Sequence, residues 1–576
     1  MAYTAPLKDF RFLLDHVVDF DQVVETGLFG EVAGDVSAAI LAEAARLSEE
    51  VLAPLQRAGD IDGAVLENGV VRTSPGFGEA YRAIAGGGWV GMIASVEAGG
   101  MGLPQSLASA VNEMMGSACL SLQLNPLMTQ GQIEALEHHA SDAIKALYLP
   151  RLISGEWCGT MNLTEPQAGS DVGALKCRAE PNADGSYAIT GQKIFISWGD
   201  NDFTGNVCHM VLARLPDAPG GTRGISLFIV PKRIPDEDGE AGVANDLHVV
   251  SLEHKLGLHG SPTAVMSFDG ATGWLIGAPH SGLKAMFTMM NNARLGVAVQ
   301  GISQAEGAYQ HALAYAMERK QGRSSIEGGT GTIIDHADVR RMLVSMKADT
   351  FGARAIALSC AVAIDMARAT PDAGWAARAA FLTPIAKAFG TDIGNEVAHL
   401  GVQVFGGMGY IEETGAAQYC RDVRVTAIYE GTNGIQAMDL VARKLMDGGA
   451  AAFELLDEIM GDAKAAADGF GDLAAKVGAA AQGLRDTTTW LVAQQDMNDR
   501  FAGAAAYLRA FARVLGAHYH LRSAVAEAQA GTKGGPRVRL AEFYISRLLP
   551  EHAALLSQVR AGAAGLYALS PDDLAS

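Results

Sequence analysis

Strand-like text is confined to one stretch of this chain, and that confinement restricts the fold more than any other feature. Residues 186–196, 207–215, 224–231, 247–255 and 264–268 are short and rich in Val, Ile, Phe and Ser/Thr, with Gly/Pro/Asp/Asn turns between them. This spacing predicts an antiparallel barrel or sandwich. On either side the apolar period is helical. The spacing predicts helices over 36–51 (capped by Asp35 and ended by Pro54), 81–96, 107–124 and 129–148, with a Gly-rich break at 97–104. Helical text returns at Gly282 and runs to about Lys444, chiefly over 287–319 and 339–369. Beyond a transition at 447–452, residues 453–568 read as three or more Ala-rich helices, broken at 531–536 and again near Pro550. Strands grouped in the middle exclude alternating βαβ units. No GxGxxG follows a strand, so a Rossmann dinucleotide fold is not expected. The expected domains are an N-terminal arm (1–35), a helical domain (36–155), a middle β-domain (156–278), a helical domain (279–447) and a helical extension (448–576).

Charge and composition exclude several functions. With 44 Lys+Arg against 64 Asp+Glu the formal net charge is -20, unfavourable for broad binding to nucleic acid or anionic membrane. The extension is near neutral, with 12 basic and 14 acidic residues over 451–576, so it is not a basic DNA-binding tail. No run of 18 apolar residues occurs, which predicts no spanning helix and no stable membrane insertion. The first twenty residues carry Lys8, Asp9, Arg11 and Asp15 and lack a signal-peptide core. A cytoplasmic protein is expected. The six cysteines form no CxxC pair, so no zinc or thioredoxin-like site is expected, and no metal.

Several segments could carry chemistry, each with a plainer alternative. Met161–Asp171 (MNLTEPQAGSD) is dense in polar groups and could bind a flat heteroaromatic ring and a phosphate, or could be a helix cap with a turn at Pro166. Residues 193–198 (KIFISW) end a strand with two aromatics beside a hydroxyl, either a stacking platform or core. Arg294 and Arg319 are phosphate clamps or solvated surface groups. VFGGMGY, 404–410, is an anion site or a helix–helix turn. AIYEGTNGIQ, 427–436, sets Glu430 between Tyr429 and Gly431, where a carboxylate could be a desolvated base or merely solvated. The cluster at 328–331 reads as a flexible turn.

Together, in this order and at these separations, the segments resemble the acyl-CoA dehydrogenase flavoprotein family over roughly residues 30–445. The resemblance implies a mainly α fold: an α-domain, a β-barrel-like middle domain and a four-helix C-domain, here with a C-terminal helical extension. It implies FAD, bound between the β-domain and the C-terminal helices and partly across a dimer interface. Met161, Leu163, Thr164, Gly169 and Ser170 match the flavin loop, with Ser170 also near the CoA part of the substrate. Phe195 and Ser197 match an aromatic-x-hydroxyl pair beside the flavin, with Phe in place of the usual Trp. Arg319 matches the residue that reaches the neighbouring subunit's FAD pyrophosphate. Gln403, Gly406 and Gly407 match the segment at the adenosine end, and Thr432 and Asn433 a third contact, where Asn433-Gly434 departs from the usual pattern. The stretch 322–334 is longer than usual.

Glu430 falls on the family's base, which removes the α-proton of an acyl-CoA thioester while hydride leaves the β-carbon for flavin N5, giving a trans-2-enoyl-CoA. Some branches place the base one residue before the match of Arg294; here that residue is Ala293. Asn291, Arg294, Tyr429 and Gly431 are expected at the substrate, with Asn291 replacing a common Asp. The resemblance further implies electron-transfer flavoprotein as acceptor. The arm and extension resemble a bacterial subgroup that includes enzymes oxidising 3-methylmercaptopropionyl-CoA (a step of dimethylsulfoniopropionate breakdown) and medium- or long-chain fatty acyl-CoA dehydrogenases. In shorter members a second dimer covers the face that the extension should cover, so a homodimer is expected. An acyl-CoA oxidase, an alkylation-response flavoprotein and an idle scaffold are the competing readings.

Overall fold

The computed structural model describes residues 3–532 and 534–576, and the side chain of Asn291 lies outside the described set. Helices α1 (Leu7–His16), α2 (Asp35–Leu47), α3 (Phe77–Gly86), α4 (Gln105–His139) and α5 (Asp142–Ile153) come first. The main sheet follows: β1 (Trp157–Asn162), β2 (Arg178–Pro181), β3 (Tyr187–Ser197), β4 (Asn206–Arg214), β5 (Ile225–Pro231), β6 (Leu247–Leu252) and β7 (Thr263–Ile276). The rest is helical: α6 (Gly282–Glu318), α7 (Ala337–Ala369), α8 (Ala373–Phe405), α9 (Asn433–Ala442), α10 (Ala450–Ala465), α11 (Ala467–Ala493), α12 (Ala504–Gln529), α13 (Pro536–Phe543) and α14 (Glu551–Arg560). By internal packing the described residues form two units, one of 3–5, 43–104 and 114–296, the other of 6–42, 105–113 and 297–576.

In the first unit the strands close on themselves. β7 pairs with β3 and β5, β5 with β4, β4 with β2 through Arg178 and Arg214, and β2 with β3. This five-strand circuit is the β-barrel-like domain, with β1 added beside β4 and β6 beside β7. Its interior is apolar, with Ile189, Val211, Phe228, Val230, Met266 and Phe268 all buried. β7 alternates between buried and less buried positions, as a strand with one face on a core must. The expected purely antiparallel pairing is corrected: β1 runs parallel to β4, as does β2. β1 and β2, absent from the expected strands, supply both exceptions.

The helices also differ from expectation in detail. The helix expected over 81–96 is α3, which stops at Gly86 before Gly87 and the left-handed Gly88 (φ 75°). The two helices expected over 107–148 are α4, continuous through Pro126 with a kink at Cys119, and then α5, capped by Ser141. Asp35 is the first residue of α2 rather than its cap.

In the second unit α7 and α8 form a long hairpin, with α6 beyond Val297 laid tightly against α8. A Cβ on Gly301 would lie 2.4 Å from the Gly390 carbonyl oxygen, and one on Gly394 2.5 Å from that of Gly301, so only glycine allows this approach. α9 completes the expected four-helix layer, packed on α8. α7 is long and apolar enough to cross a membrane by composition, yet 89% of its apolar 18-residue stretch is buried inside the protein. The extension packs on the same hairpin: Phe511 of α12 meets Phe381 of α8 edge-on at 5.0 Å, and the Tyr519 hydroxyl donates to Ser359 Oγ at 2.7 Å. Leu508, Phe511 and Leu515 are buried on α12, whereas Phe501 sits on a separate short helix, Met497–Ala502. The Gly328–Gly331 turn is irregular, and Asp335 accepts from the Gly331 N–H at 2.8 Å.

Candidate active site

The first unit presents the expected flavin loop just after β1. Leu163 and Thr164 are partly buried and Met161 likewise, whereas Gly169 and Ser170 are exposed, with open space where a Gly169 Cβ would stand. The loop is held by a buried charge. Glu165 accepts from Lys193 Nζ at 2.8 Å and from the N–H groups of Lys176 and Cys177 at 2.6 and 3.0 Å. Lys193, fully buried, also donates to the Leu163 carbonyl at 3.0 Å. Burial alone would raise the Glu165 pKa; the Lys193 ammonium and the two N–H groups overcome it and hold the carboxyl at about 2. Sequence reasoning missed this pair, whose only signal was a lysine in an apolar strand.

The same strand carries Phe195. Ile196 faces Ala264 and Lys193 faces Met266, so Ile194 and Phe195 together oppose Val265 in a β-bulge. Ile194 N–H donates to the Thr164 carbonyl at 2.9 Å, tying the loop to the bulge. Phe195 has a left-handed φ of 60° and is 59% exposed, a conformation costing a non-glycine residue roughly 1–3 kcal/mol. A strained aromatic held outside the core is suited to stacking on a flat ring. Ser197, partly buried, pairs with Thr263, and Trp198 is core, its indole N–H donating to the Ser121 carbonyl at 3.1 Å. Arg294 is partly buried on α6 beside buried Ala293. The Asn291 side chain lies outside the described residues.

The second unit carries Glu430. It is partly buried in a turn where Glu430 (φ 54°) and Gly431 (φ 81°) are both left-handed. Neighbours fix that turn. The Tyr429 hydroxyl donates to Gln300 Oε1 of α6; burial, and then the adjacent Glu430 charge, push the Tyr429 pKa well up. Thr432 caps α9, its Oγ1 accepting from the Ile435 N–H at 3.2 Å. The Asn433 amide reaches back to α8, donating to Asp392 Oδ1 at 2.6 Å and accepting from buried Lys387 Nζ at 2.9 Å. The structure thus engages the Asn433 side chain in anchoring the loop that carries Glu430. Arg319 is exposed at the end of α6, with its side chain unpartnered among the described residues. Gln403, Gly406 and Gly407 are exposed where α8 ends, with open space at both glycines.

Comparison with known proteins decides what these features belong to. Residues 36–156, 160–271 and 280–446 match the N-terminal, middle and C-terminal domains of acyl-CoA dehydrogenase. The chain belongs to the acyl-CoA dehydrogenase family. It is therefore an oxidoreductase from a family of flavoproteins. Residues 455–570 match a further domain, "Acetyl-CoA dehydrogenase C-terminal like". The chain is 44% identical to 3-methylmercaptopropionyl-CoA dehydrogenase of Ruegeria pomeroyi, covering 97% of this chain and 98% of that one. It is 32% identical to the broad-specificity linear acyl-CoA dehydrogenase FadE5 of Mycobacterium tuberculosis, over 95% and 96% of the two chains. The solved structure of Caenorhabditis elegans ACDH-11 with C11-CoA shares the fold, with a TM-score of 0.77 at 20% identity over 94% of this chain and 91% of that one.

Proposed function

We propose that this acyl-CoA dehydrogenase oxidises 3-methylmercaptopropionyl-CoA to the α,β-unsaturated thioester, methylthioacryloyl-CoA, with Glu430 as base. The observation that carries the reaction type is Glu430 itself, the acid of a strained turn braced by α6, α8 and α9. The substrate rests on the near-full-length likeness to the Ruegeria enzyme. The chain's own features fit FAD: an exposed aromatic in a left-handed bulge, a clamped polar loop beside it, open glycines and an exposed guanidinium. Met161, Leu163, Thr164, Phe195 and Ser197 would hold the flavin, and Arg319, Gln403, Gly406 and Gly407 the pyrophosphate and adenosine end of the neighbouring subunit's FAD. FAD, when bound, supplies the hydride acceptor.

The protein's share of the chemistry is the proton. A thioester α-proton is weakly acidic, so a carboxylate removes it only when held at the carbon and shielded from water. The braced turn provides the holding, and partial burial of Glu430 the shielding. Electron-transfer flavoprotein is the proposed acceptor and a homodimer the proposed assembly.

Glu430→Gln should lower turnover roughly 10²- to 10⁴-fold with FAD content near wild type. Mixing with substrate without oxygen should bleach the wild-type flavin and leave the variant yellow; bleaching of Glu430→Gln at the wild-type rate removes Glu430 from the mechanism. A panel of acyl-CoA thioesters with a dye acceptor tests the substrate. Higher kcat/KM on butyryl- or octanoyl-CoA than on the methylthio thioester would favour a fatty acyl-CoA dehydrogenase, the reading supported by the likeness to FadE5.

A further inference from the structure

We infer that Gln436 is a positioning residue for the base, its carboxamide fixing the Glu430–Gly431 turn and so the direction of the Glu430 carboxylate. This rests on the reading of Glu430 as base. Gln436 lies in the first turn of α9 and is fully buried. Its Nε2 donates to two successive carbonyls, those of Glu430 at 3.2 Å and Gly431 at 3.3 Å. These carbonyls belong to the peptide planes on either side of Gly431, so one donor sets the torsions that define the turn. A Cβ on Gly431 would stand 2.7 Å from the same nitrogen; the amide is seated directly against the glycine. Tyr429 on Gln300 anchors the chain before the turn and Asn433 on α8 anchors it after, while Gln436 grips Glu430 and Gly431.

The other half of the amide separates positioning from mere stability. Gln436 Oε1 is buried and has no hydrogen-bond partner among the described residues. A buried acceptor left unsatisfied opposes folding, so an apolar side chain of the same length would suit the packing at least as well. Glutamine is useful here for what its N–H groups hold. Left-handed backbone is not where a Glu settles by itself. Without the donor the turn relaxes, and the carboxylate swings away from the position its chemistry requires.

The test uses the purified FAD-loaded enzyme and the acyl-CoA it oxidises fastest. Gln436→Met should slow anaerobic flavin bleaching roughly 10- to 100-fold, a part of the general-base contribution. FAD content, substrate affinity and melting temperature should stay close to wild type. The isotope effect with α-deuterated substrate should rise, because proton removal becomes the slow step, and the apparent pKa governing kcat should move. Should the Met variant fail to fold, Gln436→Glu keeps the size and turns an acceptor on the two carbonyls, with the same kinetic defect expected. Bleaching within twofold of wild type, or a loss of rate that merely follows loss of FAD, overturns the inference. Glu430→Gln run alongside separates the two claims: if it still bleaches the flavin, the base assignment fails; if it is inactive while Gln436→Met is fully active, only the role of Gln436 fails.

Discussion

At the scale of single residues, the Lys193–Glu165 pair is the sharpest feature of the first unit. Removing one member of a buried pair costs about 3–5 kcal/mol. Lys193→Met should fall at the low end, since Glu165 keeps the N–H groups of Lys176 and Cys177. The urea midpoint should drop accordingly. The folded pKa of Glu165, about 2, lies below the ordinary Glu value of about 4.3, so the pair's stabilisation is present above that ordinary value and disappears as pH falls towards 2. The stability gap between wild type and Lys193→Met should therefore narrow from pH 5 downward; a gap that widens would contradict the pairing. Glu430, Thr164 and Phe195 were visible in the sequence through their motifs. The groups that brace them, Lys193, Gln300 and Gln436, were not, because each reaches its partner through a bulge, a turn or a neighbouring helix that linear spacing does not encode.

At the scale of elements, helices and strands announced themselves by period, and their ends announced themselves less well. The Gly86–Gly88 run stops α3, as breakers do, yet Pro126 does not stop α4, because packing outweighs local propensity. The parallel pairing of β1 with β4 was hidden for a related reason: β1 is a run of buried residues whose direction only the connection through β2 and β3 sets. The extension shows how such elements couple. Arg513 of α12 is buried against Asp349 of α7 and also bonds Glu551 at 2.5 Å. Burial pushes the Asp349 pKa up and the guanidinium pulls against it. Arg513→Met strands that carboxylate and should destabilise the second unit by about 3–5 kcal/mol. Calorimetry should show α12 and the α7–α8 hairpin melting together; a separate transition that shifts alone would show the extension to be an independent domain.

At the scale of the whole molecule, the extension lays α12 across α7 and α8 from within the chain, a face the proposed assembly leaves to the extension rather than to a second dimer. A homodimer is therefore expected by light scattering, and a stable tetramer would refute it. Arg319→Ala should weaken FAD retention in that dimer, measured as flavin per chain after gel filtration; unchanged retention would take Arg319 out of the cofactor site. The N-terminal arm has a different consequence. Asp9 of α1 bonds Arg537 of α13 at 2.6 Å, and the two are 528 positions apart. At roughly 5–20 residues per second of synthesis, α1 leaves the ribosome about 25–100 s before its partner exists. During that interval Phe10, Leu13 and Leu14, all buried in the finished protein, can be covered only by elements made earlier, such as α7, whose Arg354 lies 5.0 Å over the Phe10 ring, and the Asp9–Arg537 bond must await α13.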